Sequence, residues 1–179
     1  MTRDELVALL RERDAIAIAA ALDASREITY TRSPSPAGWL SDGAAEQPIE
    51  AHREAHAAGR PSEAAVLYGE GVTAEHTADR LLELAELARE TRMLRAVCPI
   101  PAEGVRTPGS WGVEDLTVIA AARRTLDASV RVRPSWTRLG AQTCAVALAF
   151  GADDLVVPPD DPTDISLLAQ SAGKQAVER

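Results

Sequence analysis

Cysteine is almost missing from this chain: 179 residues hold two, Cys98 and Cys144, far apart and among apolar neighbours. Two such thiols read as small buried hydrophobes. They fall short of the three closely spaced thiolates that an iron–sulfur cluster normally takes. Aromatic residues make up 3% of the chain. Ala and Leu supply most of the apolar content instead, which favours helices packed on a small sheet over an all-β core. Positive charge is also short. The formal net charge of −8 excludes the basic face that nucleic-acid binding needs. No apolar run reaches the length of a membrane span. No leader peptide is expected at the start, so the expected compartment is the cytoplasm.

What is present is a rhythm of helices and strands punctuated by Pro and Gly. Thr2 with Glu5 forms a capping box and predicts a helix to about Arg13, with Leu6, Leu9 and Leu10 inward. Asp14 opens a second helix ending near Ser25. Glu27 to Arg32 alternates as a strand does. Ser33 to Pro48 is rich in Pro, Gly and Ser and reads as a loop, with Trp39 and Leu40 folding back onto the body. Pro48 starts a helix that ends at Gly59. Glu63 to Tyr68 is the next strand. Thr73 caps a long helix carrying Leu81, Leu84, Leu87 and Ala88 on one face. Arg95 to Ile100 is a strand, followed by a Pro/Gly loop to Trp111 and a helix from Val113 to Asp127.

The stretch from Arg131 to Val157 anchors the reading. Val130 to Arg133 alternates apolar and charged. Pro134 and Gly140 bracket a short loop with Ser135, Trp136, Thr137 and Arg138. Ala141 to Phe150 is an Ala-rich helix nearly free of charge, hence buried on most sides. Gly151 stands where a helix end takes a left-handed residue. Leu155 to Val157 is a second strand. Strand, helix and strand in so few residues make a βα repeat of a parallel sheet. A last helix runs from Thr163 to about Ala172.

SWTRLGAQTCAVALAFGADDL, residues 135–155, resembles the last βαβ unit of the radical-SAM enzymes of the futalosine route to menaquinone. These are the aminofutalosine and cyclic dehypoxanthine futalosine synthases; the deazaflavin-forming FO synthase is similar. Residues 50–69, residues 112–127 and the closing residues 171–179 extend the resemblance to about two thirds of the chain. It implies an α/β fold: an incomplete TIM-like barrel of about five mostly parallel strands. One domain spans 1–179, with a helical start and first strand over 1–32, a loop over 33–48, and βα repeats over 49–179. The five retained strands are expected to form one open sheet, because a closed barrel needs eight. Val66, Val97, Val132 and Val156 then line its inner face or the helix layer. The family's Cys-x3-Cys-x2-Cys loop and much of its S-adenosylmethionine contact have no counterpart.

Candidate ligand contacts cluster at the carboxyl ends of strands, where parallel α/β folds bind ligands. Tyr68 and Glu70 flank a Gly-containing turn. Trp136 could stack on a ring and Arg138 hold a carboxylate, with Thr137 and Gln142 beside them. Glu70 would repel an anion, which favours plain turn chemistry there. His52 and His56 are four apart on a helix, a spacing that can bind zinc, yet no third ligand is evident. Asp153-Asp154, Glu114-Asp115 and Asp160-Asp161 stand at helix and strand starts and read as structural. No catalytic or metal-binding residue is assigned.

The expected function follows from the missing thiolates. It is a cluster-less radical-SAM-like pseudoenzyme of menaquinone biosynthesis, acting as a partner of an intact relative or of itself. Neither an iron–sulfur cluster nor S-adenosylmethionine is expected as cofactor. The alternative is a cluster-free enzyme or carrier for a futalosine-like or aromatic carboxylate ligand. Open strand edges imply a homo-oligomer or docking on an intact radical-SAM relative.

Overall fold

The structure, a computed structural model, describes residues 1–22, 27–33, 46–102 and 112–179. Trp39 and Leu40, expected to fold back onto the body, lie outside the described residues, as does Trp111. The first helix, α1 (Arg3–Glu12), begins as its capping box dictates: the Glu5 amide donates to Thr2 Oγ1 and the Thr2 amide to Glu5 Oε2. Leu6, Val7 and Leu10 face the core, and Leu9 is half-buried. α2 (Ala15–Ala20) follows the side-chain cap of Asp14. The remaining order is β1 (Glu27–Arg32), α3 (Ile49–Ala57), β2 (Ser62–Tyr68), α4 (Ala74–Thr91), β3 (Leu94–Pro101) and α5 (Val113–Thr125). Then come β4 (Arg131–Val132), α6 (Trp136–Ala149), β5 (Asp154–Val157), α7 (Ile165–Ser171) and β6 (Gln175–Glu178). Pro48 is the residue before α3 rather than its first. α6 starts at Trp136, earlier than its sequence suggested, and Gly140 (φ 78°, ψ 165°) breaks it where a loop was expected.

The expectation of one open sheet of about five strands in an incomplete TIM-like barrel is not met. Among the described residues six strands form two separate parallel sheets of three, ordered β5-β1-β6 and β2-β3-β4. Two local causes divide them. First, β4 is only two residues long. The Arg133 amide bonds Val97 O of β3, and the next residue of β3 on that edge is Pro99, which has no N–H to continue the ladder. Second, the Val132 N–H is taken by the Asp153 side chain, at 2.8 Å, rather than by a backbone carbonyl of β5. One backbone bond, from Asp153 N to Val132 O, crosses the junction. The sixth strand, β6, lies in the closing segment, whose alternation is too short to read as a strand in the sequence.

Helices cover one face of both sheets. Ile28, Ala64, Val66, Val97, Val132, Leu155 and Val157 point into a core shared with Leu81, Leu84 and Leu87 of α4, Ile119 of α5 and Leu148 of α6. Val66, Val97 and Val132 therefore belong to the helix side, and Val156 is half-buried. The opposite face of the β2-β3-β4 sheet carries a small second cluster of Ala65, Cys98 and Ile100 against Leu67. Among the described residues no helix is long and apolar enough to cross a membrane.

Candidate functional site

Tyr68 ends β2 on the helix side, and its buried hydroxyl donates to Asp115 Oδ1 at 2.7 Å in the first turn of α5. Glu70 is exposed in the turn between Gly69 (φ 97°) and Gly71 (φ 78°). Trp136 starts α6 and is buried; its indole N–H donates to Asp161 Oδ2 at 2.9 Å. Thr137 and Gln142 are exposed on α6 and Arg138 is half-buried. The sequence-predicted set therefore divides. Tyr68 engages α5, whereas Trp136 engages the loop between β5 and α7. Arg32, at the end of β1, grips the same loop by donating to Asp161 O and Thr163 O, each at 2.9 Å. Hydrogen bonds from Thr163 and then from the Trp136 indole hold the Asp161 carboxyl below its usual range. Trp136 thus pins a loop instead of offering an open face for stacking.

The strongest polar constellation escaped the sequence reading. Arg133, just after β4, donates from Nη1 and Nη2 to both oxygens of Glu63 on β2, at 2.6 and 2.9 Å. Its Nε donates to Asp154 Oδ2 on β5 at 2.6 Å. One buried guanidinium so joins the two sheets. Burial pulls the Arg133 pKa down, but the Glu63 hydrogen bonds and the Asp154 and Glu63 charges outweigh it, leaving a net upward shift. The cation is therefore permanent. Thr29 of β1 donates its hydroxyl to Asp154 Oδ1 at 2.5 Å, and Arg179 lies 3.8 Å from the same carboxylate. Glu63 and Arg133 are 70 residues apart in the chain, so no spacing rule could pair them.

Asp153 forms a second hub. Its carboxylate meets Arg123 of α5 at 3.3 Å and Arg131 at 3.5 Å besides capping Val132. Burial raises its pKa, against the lowering pull of the Val132 amide and of both arginines. Arg123 also donates to Val130 O, Leu126 O and Asp127 O, closing the turn after α5. Asp153 and Asp154 are thus structural anchors, each held by cations, not an acid–base pair in an open cleft.

His52 and His56 of α3 do not face a metal-binding group. His52 Nδ1 and His56 Nε2 both lie 2.8 Å from the buried Ser62 Oγ. One hydroxyl can donate to one ring and accept from the other, which docks α3 on β2. Burial, then the nearby Arg80 and His56, push His52 down to about 4, and burial lowers His56 too. Among the described residues no group of three or more His, Cys, Asp or Glu is placed to hold a metal ion.

Cys98 lies on β3 and Cys144 on α6, and both are buried thiols outside any disulfide. Burial, with smaller effects of Cys98 and Asp115, pushes the Cys144 thiol up to about 12. A cluster ligand is a thiolate, and a [4Fe–4S] cluster takes four of them or nearly so. The thiols of this chain do not fit that donor set.

This site defines an α/β protein of two βα-built sheets clamped by buried ion pairs, and comparison with known proteins gives it relatives. It is similar to the 5-amino-6-(D-ribitylamino)uracil--L-tyrosine 4-hydroxyphenyl transferase of Archaeoglobus fulgidus, 30% identical over 140 residues, covering 74% of this chain and 38% of the relative. The corresponding transferase 1 of Methanosarcina barkeri is 32% identical over 119 residues, covering 60% of this chain and 32% of its own length. That of Methanosphaerula palustris is 34% identical over 115 residues, covering 58% and 31%. No family model matches the chain. It spans between 31% and 38% of the length of these three relatives. Their shared name overturns the menaquinone assignment: the relatives are 4-hydroxyphenyl transferases acting on 5-amino-6-(D-ribitylamino)uracil and L-tyrosine, not futalosine-pathway enzymes. The coarser part of the resemblance, a radical-SAM-like chain, is consistent with them.

Proposed function

We propose that this chain is a cluster-free, non-catalytic counterpart of the 5-amino-6-(D-ribitylamino)uracil--L-tyrosine 4-hydroxyphenyl transferases and acts by associating with a full-length enzyme of that kind. The donor set supports this reading most directly. Two buried thiols, one with its pKa pushed up to about 12, are the opposite of what a metal–thiolate site requires. The polar clusters point the same way, since their carboxylates are committed to arginines, backbone amides and hydroxyls within the fold. A carrier of an aromatic carboxylate would need Trp136 as an open platform, and that ring is buried with its N–H bound to Asp161.

The test has two arms. Anaerobic reconstitution with iron and sulfide should leave the purified chain without stoichiometric iron and without broad absorption near 400 nm. The tagged chain should co-elute with the full-length transferase of its own organism and alter that enzyme's turnover or stability. Stoichiometric iron, or no association at micromolar concentration, counts against the proposal.

A further inference from the structure

The edge of the β5-β1-β6 sheet fits a second copy of the same edge. β6 is bonded on one side only, to β1, in parallel register from Glu27↔Gln175 to Tyr30↔Glu178. The Arg179 amide donates to Tyr30 O. Backbone groups of residues 175, 177 and 179 therefore face β1, and those of Ala176 and Glu178 face away. Among the described residues these four outward groups, two N–H and two C=O, have no hydrogen-bond partner. Val177 stands between them and is 45% exposed, although it is a β-branched residue in a strand. Unpaired edges of this kind template pairing with another chain.

We infer that two copies of the chain associate through antiparallel β6–β6 pairing about a two-fold axis at Val177. That register sets Ala176 of each copy opposite Glu178 of the other. The two pairs make four N–H···O bonds, and these use every outward group of both edges. Val177 meets its own copy at the site without hydrogen bonds, where cross-strand side chains lie closest. Each Glu178 faces an alanine, and Arg179 faces Gln175. The two Glu178 carboxylates lie diagonal to one another on the same face, a repulsion that keeps the association weak at low salt. α7, the helix packed on β6, adds a second exposed apolar residue, Leu167. A four-residue edge buries less than the roughly 1,200 Å² of a standard interface, so the dimer is reversible and concentration-dependent. This goes beyond the partnership proposed above and does not rest on it.

Sedimentation velocity on the purified chain alone tests the pairing without any transferase present. From micromolar toward millimolar concentration the mass should rise from 19.0 kDa toward twice that value. Val177→Lys puts two like charges at the axis and should weaken dimerisation at least about tenfold. Ala176→Pro removes an outward N–H without touching the β1 ladder and should do the same with the melting temperature retained. Hydrogen exchange at the Ala176 and Glu178 amides should slow as the wild-type concentration rises; the Glu178 amide should stay fast in both variants, and the Ala176 amide in Val177→Lys. A 19.0 kDa mass throughout, or a dimer unaffected by both variants with fast exchange at these two amides, overturns the inference.

Discussion

Replacing Arg133 with Ala strikes the junction of the two sheets. The guanidinium makes three hydrogen bonds of 2.6 to 2.9 Å to two carboxylates, and the Arg133, Glu63 and Asp154 side chains are 8%, 17% and 3% exposed. Removing the cation leaves two carboxylates facing one another with little water. Breaking a buried ion pair from one side costs about 3–5 kcal/mol, most of it the penalty of the stranded charge. In a chain of this length each kcal/mol lowers the melting temperature by about 2–4 °C, so the variant should melt roughly 6–20 °C lower. Calorimetry or circular dichroism reads the shift, and urea titration reads the free energy. The companion triple variant, Arg133→Met with Glu63→Gln and Asp154→Asn, removes all three charges together. It should recover part of the loss, because a buried amide left without its partner costs less than a stranded carboxylate. A single variant that melts within about 2 °C of wild type, or a triple variant no better than the single, would refute the assignment of Arg133 as the clamp.

Three further outcomes are expected. Stability should fall as pH drops from about 6.5 toward about 4, because the unfolded His52 binds a proton in that window and the folded one resists it; replacing both His52 and His56 with Gln should flatten the slope in acid denaturation curves. Gly151→Ala should destabilise by more than about 1 kcal/mol, since Gly151 has φ 99° and an added Cβ would lie 2.7 Å from Arg123 Cβ; a urea midpoint unchanged from wild type would show that the turn relaxes freely. Cys144, with its thiol pushed up to about 12 and fully buried, should react with a thiol reagent at pH 8 only as fast as the fold opens; reaction at the rate of a free thiol would show the packing around α6 to be loose.

The order of elements was largely legible in the sequence because it rests on local physics. Thr2 and Thr73 accept amide hydrogen bonds at the starts of α1 and α4, as capping residues do. The leucines of α4 fall on one buried face by helical period alone. Gly151 sits after α6 with the positive φ that its position demands. The company that the candidate contacts at strand ends keep was not legible. Whether Trp136 stacks on a ligand or binds Asp161 depends on a loop 25 residues away, and periodicity is silent on that.

The sequence by itself determined most of the helices and strands up to β5, since these follow from residue type and period. The tertiary structure alone decided that the strands divide into two sheets. That outcome depends on Pro99 meeting the edge of β4 and on the Asp153 carboxylate taking an amide that a neighbouring strand would otherwise bond, while Arg133, reaching Glu63 and Asp154 across the gap, holds the two sheets together. These are contacts between residues tens of positions apart. They form only when several elements are already packed, because a lone carboxylate or guanidinium loses more by leaving water than it gains until its partner is in place.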